Sequence, residues 1–215
     1  MSRTLCVAAL VATSTLASLD ARASAAQTQA APQKPELPKS QVPILGRPTK
    51  PEDPAPILDF GGYFTGKWTF TWDFPETGLG PAGELTGTTV FKAIDDKFFE
   101  ALTEATSPDG PVTIREVIGY LKDSRTLSRM VTDSRGFSYL QVGTVGGDLG
   151  GQFTIYFDSA PFVHNGHTMR VKSMVKLLSP FNYRVQTTIS EDGGPFENYG
   201  HPWWKKDVPG ATNKP

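Results

Sequence analysis

Between residues 64 and 74 side chains alternate without a break. Phe64, Gly66, Trp68, Phe70, Trp72 and Phe74 take one parity; Thr65, Lys67, Thr69, Thr71 and Asp73 take the other. A period of two marks a strand that buries one face. Similar patterning returns near 84–94, 97–105, 112–121, 126–133, 137–144, 151–158, 168–178, 181–190 and 195–204. Turn chemistry separates these runs. Ser107-Pro108-Asp109-Gly110 places Pro and Gly for a type I turn, Asn165-Gly166 is the favoured pair of a type I′ hairpin, and Asp133-Ser134-Arg135-Gly136 and Asp192-Gly193-Gly194 are similar. No amphipathic helix of ten or more residues breaks the series. Successive strands with short turns predict an all-β, antiparallel up-and-down meander. So long a sheet would leave its edges and an apolar face in water unless it closed, so a barrel of about 8–10 strands is expected. A two-sheet sandwich would satisfy the same periodicity.

Outside the domain, expected at 57–207, the pattern changes. Arg3 and the uncharged, mostly apolar run Leu5–Leu16 are followed by small residues around Ala21-Arg22-Ala23 and Ala23-Ser24-Ala25. This predicts a cleaved secretory signal at 1–25 and a periplasmic or secreted location. The run is shorter than the roughly 20 apolar residues of a membrane span, so no transmembrane segment is expected in the mature chain. Prolines at 32, 35, 38, 43, 48, 51, 54 and 56 fix φ and remove donors, which predicts a disordered or polyproline-like spacer at 26–56. A disordered tail is expected at 208–215. The lone cysteine, Cys6, falls within the signal, leaving the mature domain no disulfide, thiolate metal site or cysteine nucleophile. A net charge of −1 argues against nucleic acid as a partner.

Phe64-Thr65-Gly66-Lys67-Trp68 resembles the Gly-x-Trp opening strand of the lipocalin-like (calycin) barrels. Gly119-Tyr120-Leu121-Lys122-Asp123, then Asp133-Ser134-Arg135-Gly136, then Gly143 is similar to the Gly-Tyr-Asp … Asp-Ser-x-Gly … Gly succession of an uncharacterised family of exported bacterial lipocalin-like proteins. The acid after the tyrosine stands two positions later here, at Asp123. The resemblance implies a barrel whose Trp68 plugs the closed end, with Arg184 as its late-strand partner. It implies no activity, because these are turn and plug residues.

Candidate chemistry is sparse. Glu116 is the single charge on the face Val112, Ile114, Glu116, Ile118, Tyr120, and Arg129 sits between Leu127 and Val131. A turn at 122–125 would bring the two together diagonally across a hairpin, either as a structural ion pair or as an inward pair orienting a ligand. His164 and His167 flank Asn165-Gly166 and would face each other across the turn. Even with Asp158 nearby they lack the ligand set of a metal site. His201 is a late histidine of the kind through which some lipocalin-like barrels hold haem, but it is unpartnered, so no cofactor is expected. The adjacent Trp203 and Trp204 are expected to cap the barrel mouth. The glycine-rich run 143–151 leads into no helix and is read as a turn.

The expected function is therefore a non-enzymatic barrel holding a small, largely apolar ligand against Trp68, Glu116, Tyr120, Arg129, Tyr139 and Arg184. The alternatives are a barrel isomerase or hydrolase with Glu116 as base, and an envelope interaction module with a solid core.

Overall fold

A computed structural model of the chain describes residues 56–147 and 152–208. The signal, nearly all of the spacer, the end of the glycine-rich run and all but the first residue of the tail lie outside the described residues.

The chain enters through a single helical turn, α1 (Phe60–Phe64). Asp59 caps it, its side chain accepting from the Gly62 N–H at 3.0 Å. At Gly66 the backbone takes φ +121°, which suits glycine, and the chain becomes a strand. The strands are β1 (Gly66–Phe74), β2 (Gly83–Ala93), β3 (Phe98–Ser107), β4 (Gly110–Leu121), β5 (Thr126–Asp133), β6 (Phe137–Gly147), β7 (Phe153–Ser159), β8 (Phe162–His164), β9 (His167–Ser179), β10 (Asn182–Glu191), β11 (Glu197–Asn198) and β12 (Trp203–Lys206).

Ten of them close a ring in the order β1-β2-β3-β4-β5-β6-β7-β9-β10-β12 and back to β1, every pairing antiparallel. Closure depends on the short β12. Trp203 and Trp204 pair with Arg184 and Tyr183 on one side and with Thr71 and Phe70 on the other. β8 and β11 are short additions to the edges of β9 and β10. The barrel expected from the periodicity is present and the sandwich is not.

Two local expectations are corrected. Phe64 belongs to α1 rather than the first strand, since a five-residue helix is too short to leave a period of 3.6. The last run, 195–204, splits into β11 and β12 because Gly200 adopts φ +114° and Pro202 has no N–H to give. Pairing with β10 nevertheless continues across the break, through Thr187 N–H to Gly200 O and Val185 N–H to Pro202 O, both 3.0 Å.

Inward parity fills the barrel with apolar side chains in three groups. One surrounds α1: Phe60, Phe64, Trp68, Phe91, Phe99, Tyr120, Leu127 and Tyr183. A second lies along β1, β2, β4 and β5: Phe70, Leu85, Ile114 and Val131. The third closes the other end: Leu79, Phe137, Met169, Val171, Ile189 and Tyr199.

Candidate functional site

These groups leave a cavity of about 110 Å³ between them. α1 precedes β1 and stops one end with Phe60 and Phe64. The loop after β1 stops the opposite end with Leu79, which is buried although it belongs to no strand. The Gly78 N–H donates to Glu191 Oε2 at 3.0 Å and holds that loop across the mouth. The walls are mainly aromatic and branched aliphatic, including Phe91, Ile118, Phe157, Val175, Val185 and Trp204.

A polar belt crosses this lining. Inward parity on β4 puts Glu116 on the wall, and the neighbouring strand supplies Arg129 opposite Ile118. Arg129 Nη1 donates to Glu116 Oε2 at 3.3 Å, and Arg129 Nε donates to Gln141 Oε1 at 2.9 Å. Arg129 Nη2 donates to the same amide oxygen. Gln141, fully buried on β6, is itself fixed by its Nε2 donating to Val171 O at 3.1 Å. The guanidinium centre lies 4.3 Å from the centre of the Phe157 ring, a cation–π arrangement. Toward the mouth, Arg135 forks onto Asp133, Nε to Oδ1 at 3.0 Å and Nη2 to Oδ2 at 2.7 Å. Tyr139 and Tyr183 also line the cavity. Burial pushes both phenols up, and both feel the charges of Glu116 and Arg129.

Of the residues singled out from sequence, Glu116, Arg129 and Tyr139 stand on the cavity wall. Trp68 and Tyr120 do not; both belong to the packed end around α1. Trp68 donates from Nε1 to Phe64 O at 2.7 Å and is fully buried. The Tyr120 hydroxyl is buried with no hydrogen-bond partner among the described residues, and desolvation raises its pKa. An unpaired buried hydroxyl costs about 1–3 kcal/mol. Tyr120→Phe is therefore expected to leave stability unchanged or raise it by about 1 kcal/mol in urea denaturation; a loss above that would reveal a partner for the hydroxyl.

Arg184 is corrected. Tyr183 and Val185 point inward, so Arg184 between them faces out, its guanidinium 5.9 Å from the Trp203 ring centre. The cation over Trp68 is Lys206, whose Nζ lies 5.1 Å from the ring centre and donates to Tyr63 O at 2.8 Å. Trp203 and Trp204 are likewise not a joint cap. Trp204 turns inward, stacked on Phe70 and Tyr183, and Trp203 is exposed.

Sequence reasoning missed Gln141, Asp133, Arg135 and Tyr183. Parity would have flagged Gln141, the only amide in the inward row Phe137, Tyr139, Gln141, Gly143, Val145. The inward direction of Arg135 had no such signal, because it stands in a turn.

The histidines do not assemble with Asp158, which pairs with Arg170 and Lys172. His164 packs edge-on against Phe137. His201 is exposed and absent from the cavity wall. His167 Nδ1 lies 2.8 Å from Glu191 Oε1 and 2.9 Å from Asp192 Oδ2, an arrangement that an imidazolium between two carboxylates accounts for. Hydrogen bonding to Asp192, then the charge of Glu191, raises the His167 pKa, and the same bond lowers that of Asp192. Because the folded pKa of His167 is the higher one, its contribution is fully present below the unfolded value of about 6.5 and is lost as pH rises through the folded value. Wild type should thus exceed His167→Gln in stability at pH 5.5 and lose that margin by pH 9. A margin that grew with pH would contradict the pairing.

No protein-family model matches the chain, and a search of curated proteins returned no match. Among solved structures, Rv2717c from M. tuberculosis is similar at 10% identity and a TM-score of 0.56, over 67% of this chain and 93% of that one. This likeness shows the β-barrel fold. A de novo designed fluorescence-activating β-barrel aligns at 15% identity and TM-score 0.40, over 70% of this chain and 99% of that one. A redesigned barrel, mFAP0, bound to DFHBI, aligns at 16% identity and TM-score 0.39, over 67% and 99%.

Proposed function

We propose that this chain is an exported binding protein, periplasmic or secreted, that holds a small and largely apolar ligand inside its barrel, as a member of the lipocalin-like group its opening strand resembles. The observation that carries the reading is the cavity itself. The barrel is tightly filled at both ends yet keeps about 110 Å³ open in the middle, walled by apolar rings and crossed by a few fixed polar groups. Ligand sites have that composition. Among the described residues no helix is long and apolar enough to cross a membrane. Export rests on the charged, apolar and small-residue succession of the first 25 residues.

Native mass spectrometry of the protein purified from its own host tests the binding reading. A retained small molecule, released on unfolding, is the expected result. Its absence, with no small molecule displacing solvent from the lumen, would count against binding. One observation favours a second reading, a barrel isomerase or hydrolase. Glu116 stands on the cavity wall with Oε2 engaged by Arg129 and with Oε1 taking no bond from a described residue, as a general base would require. Should any turnover be found, Glu116→Gln should abolish it without unfolding the barrel. An unchanged rate would reject that role.

A further inference from the structure

We infer that the ligand is an uncharged, single-ring aromatic carrying one hydroxyl or amide group that both donates and accepts a hydrogen bond. This rests on the binding reading and adds the chemistry of the occupant.

Size comes first. An engineered apolar cavity of about 150 Å³ takes up benzene. A lumen of about 110 Å³ is of the same order, so one ring with a small substituent fits, and a macrocycle or a long acyl chain does not.

Charge comes second. Among the described residues the ionised side chains on the cavity wall are Glu116, Arg129, Asp133 and Arg135, and they are matched one to one by the two ion pairs. The formal charge of the lumen is zero. An anionic or cationic ligand would bring an uncompensated charge into an apolar cavity, or would have to take a partner from an existing pair. Both are unfavourable.

Hydrogen bonding comes third. The Asp133–Arg135 fork engages both carboxylate oxygens of Asp133. In the other pair, Glu116 Oε1 takes no bond from a described residue. Arg129 Nη1 carries two hydrogens and gives one to Oε2. An acceptor and a donor therefore stand side by side on the wall. A hydrocarbon ligand would strip water from both and leave them unmatched. A hydroxyl or a primary amide accepts from Arg129 and donates to Glu116.

The test uses four probes that share a ring and differ in the head group: benzene, phenol, benzoate and benzylamine. Each is titrated at pH 7 into the full chain, wild type and Glu116→Leu/Arg129→Met, with folding of the variant checked by circular dichroism. That double variant keeps the lumen neutral and removes the polar pair. We expect phenol to bind wild type at least tenfold more tightly than any other probe, and the advantage of phenol over benzene to fall below threefold in the variant. Benzoate or benzylamine matching phenol would overturn the neutral class. Benzene matching phenol, or an advantage that survives in the variant, would overturn the role of the pair. If no probe binds, the single-ring class is overturned, while a small molecule retained in native mass spectrometry would still uphold the binding reading and its absence there would remove both.

Discussion

Arg129→Met will destabilise the barrel by about 3 kcal/mol, and adding Glu116→Leu will recover part of that loss, leaving the double variant about 1–2 kcal/mol below wild type because the buried Gln141 amide oxygen still lacks its donor. The single change removes the cation from a carboxylate that is itself largely buried. It also takes the donor from the Gln141 amide oxygen, which holds the guanidinium through both Nε and Nη2. The Arg129 and Glu116 side chains are only 15% and 19% exposed, so bulk water screens the pair little. Breaking such a pair is costly because one charge is stranded, whereas replacing both partners by apolar groups of similar shape is close to neutral. Urea denaturation of wild type, the two single variants and the double variant forms the complete cycle. An Arg129→Met variant within 1 kcal/mol of wild type, or a double variant as unstable as the sum of the singles, would contradict a coupled inward pair.

That pair marks how far the sequence reaches. Its diagonal placement follows from two strands of known parity and a four-residue turn, and both partners were visible as lone charges in apolar rows. The barrel was legible for the same reason, since a period of two repeated around Asn165-Gly166 and similar turns leaves little else to build. Contacts distant in sequence leave no such mark. Nothing local says that the short strand Trp203–Lys206 slots between β10 and β1, so the inward turn of Trp204 and the seat of Lys206 over Trp68 were hidden. The resemblance places Arg184 at the plug against its own parity, since Tyr183 and Val185 on either side of it point inward. Leu79 carries no period at all; its burial depends on Glu191, more than a hundred residues on, holding Gly78.

Trp68→Ala carries the other large expected cost, about 3–5 kcal/mol, the range for removing a buried Trp or Phe. Trp68 is fully buried and is packed against Tyr63, Phe64 and Tyr183 with ring centres 5.8, 6.4 and 4.8 Å away. Its Nε1 ties α1 to the barrel through Phe64 O. Truncation leaves a hole at the closed end and releases the plug, so amide exchange in α1 should accelerate more than in β4 or β5. Trp68→Phe keeps most of the volume and should cost less than half as much. An Ala variant within about 1.5 kcal/mol of wild type, well below that range, would mean that α1 seals the barrel without Trp68.

The cavity and its occupant are tested most directly by intermolecular nuclear Overhauser effects between phenol and the methyl groups of the full chain. Ile118, Val131, Val175 and Val185 line the lumen, while Leu140, Val142 and Val163 are exposed. Cross-peaks from phenol to the first set and none to the second are expected. Cross-peaks confined to the outer methyls would place small ligands on the barrel surface and contradict an internal site.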